Sequence, residues 1–256
     1  MREFRADLHI HTCLSPCADL HMTPSTIVKI AVENGLDIIA ITDHNTSENI
    51  IGTKKAAEGT GLTVLAGMEV TSSEEVHILA LFDDLEDALK LQDIVYKHLA
   101  SDEKNPPSPP FAKGGEGGLG EQVVVNEKDE VMGFNKHLLI GATSLTTQSI
   151  VDIIYSLEGL SIASHIDREG FGIISKLGFI PRDLKLDALE ISLNTDKEKA
   201  ENLFRDYKTF QWVSSSDAHY IEDIGRRATS FFIKEATIAE MREAIKKTGG
   251  RRVEWG

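Results

Sequence analysis

Apolar runs of strand length alternate with amphipathic segments of helix length along most of this 256-residue chain, and that rhythm points to an α/β fold with a mostly parallel sheet. The run Asp37 to Thr42 (DIIAIT) is apolar without alternation, as expected of a strand covered on both faces. Further strands are expected at Phe4 to Ile10, Leu62 to Val70, Val76 to Phe82, Leu160 to His165, Leu186 to Leu193, Gln211 to Ser215 and Thr229 to Ile233. The first helix is announced by Thr23 and Pro24 and stopped by Gly35, since proline suits the first helical position and glycine the residue beyond the last. Others are expected at Thr46 to Gly59, Leu85 to Ala100, Thr147 to Leu157, Phe171 to Leu177, Lys197 to Tyr207 and Ile238 to Lys247. About seven strands of this kind predict a closed or nearly closed, TIM-barrel-like sheet, with a doubly wound open sheet as the alternative.

With a hydrophobic content of 41%, a chain of this length is expected to form one domain, residues 1–256. Residues 105–120 (NPPSPPFAKGGEGGLG) are too rich in proline and glycine for a helix or a central strand. A flexible insertion is therefore expected over about 101–122, serving either as a lid or as a loop without function. A small excursion follows over about 123–145, opening on a hairpin-like VVVNEKDEVMGF. No apolar run approaches the ~20 residues needed to cross a bilayer, so a soluble, cytoplasmic protein without a membrane partner is expected. Cys13 and Cys17 are too few for a disulfide framework and read first as small free thiols in a loop. The balance of 27 Lys+Arg against 41 Asp+Glu, net −14, disfavours a broad duplex-binding surface.

Six stretches place metal-ligand residue types at predicted strand ends: DLHIHT (Asp7 to Thr12), TDH (to His44), GMEV (with Glu69), VHIL (with His77), SHID (with His165) and SDAH (Asp217 to His219). Alternation would point Asp7, His9 and His11 to one side, and likewise Asp217 and His219. One H-x-H is weak evidence for a metal; histidines gathered at the converging ends of barrel strands are stronger. Asp7 and Asp43 are candidates for orienting an imidazole, although either could serve only to cap a loop. Arg168 and Arg226 are candidate phosphate clamps, Arg226 the more so because Gly225 would let the backbone approach a ligand. His98 and His137 read as solvent-facing bystanders.

In this combination of motifs the chain resembles the PHP (polymerase and histidinol phosphatase) phosphoesterases, especially the branch similar to nucleoside 3′,5′-bisphosphate phosphatases. The resemblance implies a distorted (β/α)7 barrel holding two or three divalent ions (Zn, Mn or Fe). It implies a first ion on His9, His11, Glu69 and Asp217, with Glu69 bridging to a second on His77 and His165. A third would lie on Asp19, His44 and His219, with Asp19 preferred to Cys17 or His21 because hard oxygen donors suit manganese. Glu69, Asp217 and His219 are the expected catalytic residues, acting on a phosphomonoester through a metal-bridging hydroxide. The ions would outweigh the site's carboxylates and attract a small phosphorylated metabolite, a nucleotide or an oligonucleotide end. A phosphate or sulfate ion should suit the same place. Histidinol-phosphatase-like action, an amidohydrolase-type C–N hydrolase and an inactive metal-binding module remain the competing expectations.

Overall fold

The computed structural model describes residues 1–99 and 121–256, so the proline- and glycine-rich stretch expected as a flexible insertion lies outside the described residues except at its last two positions. A nine-stranded sheet runs β11-β10-β1-β2-β3-β4-β7-β8-β9. Its strands are β1 (Arg2–Ile10), β2 (Ile38–Ile41), β3 (Thr63–Thr71), β4 (His77–Phe82), β7 (Leu160–Ala163), β8 (Ala188–Glu190), β9 (Gln211–Val213), β10 (Thr229–Ile233) and β11 (Arg252–Trp255). The first seven of these make a nearly closed barrel. Beyond β9, Ala218 bridges Ile10 in parallel, with His11 N–H donating to the Ala218 carbonyl at 3.0 Å and Ala218 N–H to the His9 carbonyl at 3.2 Å.

The sheet is mixed, which corrects the expectation of a mostly parallel one. β1–β2, β2–β3, β7–β8 and β8–β9 are parallel, whereas β3–β4, β4–β7, β1–β10 and β10–β11 are antiparallel. The cause is local: only Ser72 to Val76 separate β3 from β4, too few residues for a parallel crossover, so the chain turns back as a hairpin. β4 thus brings its amino end, not its carboxyl end, to the face where β1, β2 and β3 finish. The unforeseen β11 pairs with β10, and its Arg-Val-Glu-Trp alternates exposed and buried.

Period-two alternation divides the core. Leu8, Ile38, Ala40, Leu65, Leu79 and Ile162 belong to an inner cluster into which α7 (Ile238–Ile245) packs Met241 and Ala244. Ile39, Ile41, Val64 and Ala66 face outward into a cluster shared with α1 (Pro24–Glu33), α3 (Leu85–His98) and α4 (Thr147–Ser156). Gly67 sits between Leu65 and Glu69 on β3, where a Cβ would lie 2.7 Å from the Ile41 carbonyl oxygen; only glycine lets β2 come this close.

The helix expected from Thr46 is confined to α2 (Ile50–Ala56). Thr46 and Ser47 bond instead to Gln92 of α3, and Asn49 spends its amide on β5 (Val123–Val125), accepting from Val125 N–H and donating to the Val123 carbonyl. β5 pairs antiparallel with β6 (Val131–Phe134) as a separate hairpin seated on Cys13. The remaining α-helices among the described residues are the short α5 (Ile173–Leu177) and α6 (Lys197–Leu203). Among the described residues no helix is long and apolar enough to cross a membrane.

Candidate metal centre

An irregularity in β1 sets the aim of the first two histidines. Asp7 pairs with Ile39 but Ile10 with Ile41, so β1 carries one extra residue over this interval. A bulge of this kind exchanges the faces that follow it. Leu8 therefore lies in the inner cluster, Ile10 in the outer one, and His9 and His11 turn inward together. Asp7 does not share their side, contrary to simple alternation. Its carboxylate accepts Ser216 N–H at 3.0 Å and Gly225 N–H at 2.9 Å, and burial pushes its pKa up to about 6. Gly225 thus spends its amide on Asp7.

Glu69, 1% exposed, rises from the inner face of β3 into a ring of imidazoles. Its Oε1 lies 2.9 Å from His77 Nδ1 and 3.3 Å from both His9 Nε2 and His165 Nε2; its Oε2 lies 3.2 Å from His44 Nδ1 and 3.4 Å from His11 Nε2. Asp217 Oδ1 closes the group at 3.2 Å from both His9 Nε2 and His11 Nε2. Among the described residues three sets of donor atoms each fall within 4.8 Å of one another: His9, His11 and Glu69; His44, Glu69 and His77; His11, His44 and His219. Glu69, His11 and His44 each belong to two of these sets.

The donor chemistry fits cations. His44 Nδ1, His77 Nδ1 and Glu69 Oε1 are buried without a hydrogen-bond partner among the described residues, although they lie close together. An orphaned buried polar atom costs ~1–3 kcal/mol, and neutral imidazoles with carboxylates are donors that zinc, manganese and iron accept. Burial opposes charge on His9, yet Asp217, Glu69 and Glu190 together hold its pKa well above the ordinary imidazole value. His11 is likewise opposed by burial but raised to about 9 by Asp217 and Glu69. Burial wins at His219, lowered to about 4, and at His44, held well below the ordinary value.

Asp19 stands apart from this group. Its carboxylate is partly exposed and accepts from His21 N–H at 2.8 Å and His21 Nδ1 at 2.7 Å. Cys17 is the neighbour of His219, Sγ to Nε2 at 3.1 Å, with its thiol pushed up to about 12 by burial. Arg168 reaches the centre, its Nη1 donating to Asp217 Oδ2 at 2.5 Å. Arg226 does not; it pairs with Asp223 at 2.7 Å on the surface. Tyr96 and His137 stack at 4.0 Å beside the hairpin, outside the ligand sets.

Sequence reasoning missed Glu190, Ser15 and Phe171. Glu190 lies one residue beyond the apolar Ala188 and Leu189 at the end of β8, and an acidic residue in an otherwise buried run (ALEI) was the available signal. Asp43 acts through Ser15: the Ser15 hydroxyl donates to Asp43 Oδ1 at 2.6 Å, leaving its oxygen to accept from His11 Nδ1–H at 3.0 Å. Phe171 stacks on His77 at 4.3 Å, and its carbonyl accepts His77 N–H at 3.0 Å. His165, Phe171 and Asp217 all adopt left-handed backbone, φ 27°, 61° and 51°, a strain that gathers at functional sites.

Comparison with known proteins agrees with this geometry. Residues 7–130 match the family model of the PHP domain, and residues 195–248 match that of the PHP-associated region. An uncharacterized protein of Methanocaldococcus jannaschii is 34% identical over 36% of this chain and 60% of its own length. The 5′-3′ exoribonuclease Rnm of Salmonella typhimurium is 36% identical over 31% of this chain and 28% of its own length. The chain therefore spans less than two thirds of these curated relatives. In fold it is similar to the lesion-specific endonuclease PfuEndoQ of Pyrococcus furiosus (TM-score 0.70, 21% identity, 98% of this chain, 57% of that one). An endonuclease Q has been solved with a 27-mer duplex carrying an abasic lesion.

Proposed function

This chain belongs to the PHP domain family, and on that premise we propose that it is a metal-dependent phosphoesterase acting on a small phosphorylated metabolite, a nucleotide or an oligonucleotide end. The observation that carries the reading is the Glu69 carboxylate, buried among His9, His11, His44, His77 and His165 with one oxygen left without a hydrogen bond. His9, His11, Glu69 and Asp217 would hold one ion; Glu69, His77 and His165 a second; His44 and His219, with Cys17 in place of Asp19, a third. Zinc, manganese or iron would suit the first two sets, and a thiol would turn the third toward zinc or iron. When bound, such ions supply Lewis-acid stabilisation of phosphoryl oxygens and ready activation of water.

The protein's own groups orient and neutralise. His219 donates from Nδ1 to the Asp217 carbonyl at 2.9 Å and is neutral at pH 7, so it serves as a ligand through Nε2 rather than as a proton donor. Arg168 braces Asp217 while its side chain is a third exposed, leaving guanidinium donors for a phosphoryl oxygen. Arg226 would contribute to substrate binding only by leaving Asp223. The net charge of −14 supports a small substrate over a long duplex, in contrast to the duplex held by endonuclease Q.

The test is phosphate release by metal-stripped protein reloaded with Mn²⁺ or Zn²⁺, offered histidinol phosphate, nucleoside monophosphates, 3′,5′-bisphosphates and short RNA. Metal-dependent release, greater from nucleotides than from histidinol phosphate, is expected. Absence of release from every substrate with either metal overturns the reading.

A further inference from the structure

We propose, on the metal-centre reading above, that Glu190 is a positioning residue that locks His9 and His165 in their cation-binding orientations. Glu190 is 1% exposed and shares the inner face of β8 with Ala188. Its Oε2 accepts twice, from His9 Nδ1–H at 3.0 Å and from His165 backbone N–H at 3.0 Å. Its own carbonyl accepts Ile166 N–H at 3.0 Å. One residue thus ties the first strand to the turn after β7, elements that are remote in sequence.

The proton inventory follows from the acceptor. A carboxylate has no hydrogen to offer, so His9 carries a proton on Nδ1, and in the neutral, cation-binding ring it is the Nε2 lone pair that faces inward, 3.3 Å from Glu69 and 3.2 Å from Asp217. Without Glu190 the neutral ring could take the other tautomer, which would turn an N–H toward the ions and abolish ligation. His11 is held differently, by the neutral hydroxyl of Ser15. A carboxylate acting directly on the ring also makes its far nitrogen a stronger donor.

The second bond acts on backbone. β7 ends at Ala163, and His165, at φ 27°, turns its ring toward Glu69. Charge-assisted hydrogen bonds are roughly twice as strong as neutral ones, and Glu190 places one on the amide of this strained residue. Gln at position 190 would keep the shape but lose the charge and the unconditional acceptor, since its amide could meet either N–H donor-to-donor.

Manganese titration of metal-stripped wild type and Glu190→Gln, followed calorimetrically, tests this together with ¹⁵N–¹H correlation of the histidine rings in the zinc-loaded wild type. Expected are an Nδ1–H tautomer for His9 and a loss of affinity of about 10–100-fold in the variant. An Nε2–H tautomer for His9, or Mn²⁺ affinities equal within twofold, overturns the assignment. The tautomer needs no substitution, so it decides the matter even if Glu190→Gln fails to fold. Wild type that takes up neither metal overturns the metal-centre reading itself, a result distinct from equal affinities.

Discussion

The Nε2 atoms of His9 and His11 lie 3.1 Å apart, and each also faces Asp217 Oδ1 at 3.2 Å. With both Nδ1 atoms donating outward, to Glu190 and to Ser15, the inward nitrogens of neutral rings present lone pairs to each other and to a carboxylate. Such a meeting is repulsive until a proton or a metal cation lies between them.

Divalent ions should therefore stabilise the fold. At a free concentration near 100 times Kd, linkage gives ~2.7 kcal/mol, or roughly 5–10 °C in Tm for a chain of this size. Differential scanning fluorimetry of stripped protein with and without Mn²⁺ checks the shift, and a chelator should reverse it. An unchanged Tm across both metals would count against the site.

Protonation should oppose loading. His11, raised to about 9, stabilises the metal-free fold fully below pH 6.5, and that contribution is lost as pH rises through 9. His219, lowered to about 4, and His44, also lowered, contribute stability above pH 6.5 that is lost on acidification. Glu69 and Asp217, both held well below ordinary carboxylates, act in the same direction at still lower pH. Urea midpoints of metal-free protein should peak near neutrality and fall on both sides. Metal affinity should rise with pH up to about 9, because an ion must displace the His11 proton.

Removing a bridging or closing carboxylate should be far more costly than removing a peripheral one. Glu69→Gln and Asp217→Asn are expected to lower phosphate release by about 10²–10³-fold, the loss of several kcal/mol of charge stabilisation. Metal analysis of the purified variants should show fewer ions per chain. Wild-type turnover in both would contradict their place at the centre.

Asp19→Ala should leave metal content unchanged and stability within ~0.5 kcal/mol, because among the described residues its carboxylate meets only His21. Cys17→Ser should instead alter occupancy of the set containing His219. Element analysis of the two variants side by side separates them; the opposite ranking would restore Asp19 as a ligand.

Asp7→Ala should unfold the loop that carries Asp217 before it affects any ligand directly. The substitution orphans the amides of Ser216 and Gly225, at ~1–3 kcal/mol each, or roughly 2–6 kcal/mol in all. Urea denaturation measures the loss, and faster hydrogen exchange should be confined at first to residues 214–225.

The barrel rhythm and the histidine motifs were legible because strand burial and metal chemistry restrict residue types locally. Glu69, His77 and His165 meet as their motifs suggest, and Ile38 to Ile41 is the doubly covered strand its composition describes. What could not be read depends on register and partners distant in sequence. The direction of β4 is decided by the length of one turn, and the bulge before Ile10 by pairing with β2. Asp7 looks like a neighbour of His9 until that bulge is known. Asp19 and Cys17 offer comparable donors on the same loop, and only the closure between β1 and Ala218 brings Cys17 beside His219.

That closure also has a consequence in time. Asp7 and Ser216 are 209 positions apart, so the seam beside β1 zips only after nearly all of the described barrel has left the ribosome. Until then His9 and His11 lack Asp217 and His219, so the donor set that selects a metal is incomplete. Contacts this distant slow folding, and the order of synthesis thus leaves the choice of metal to the closed barrel rather than to the growing chain.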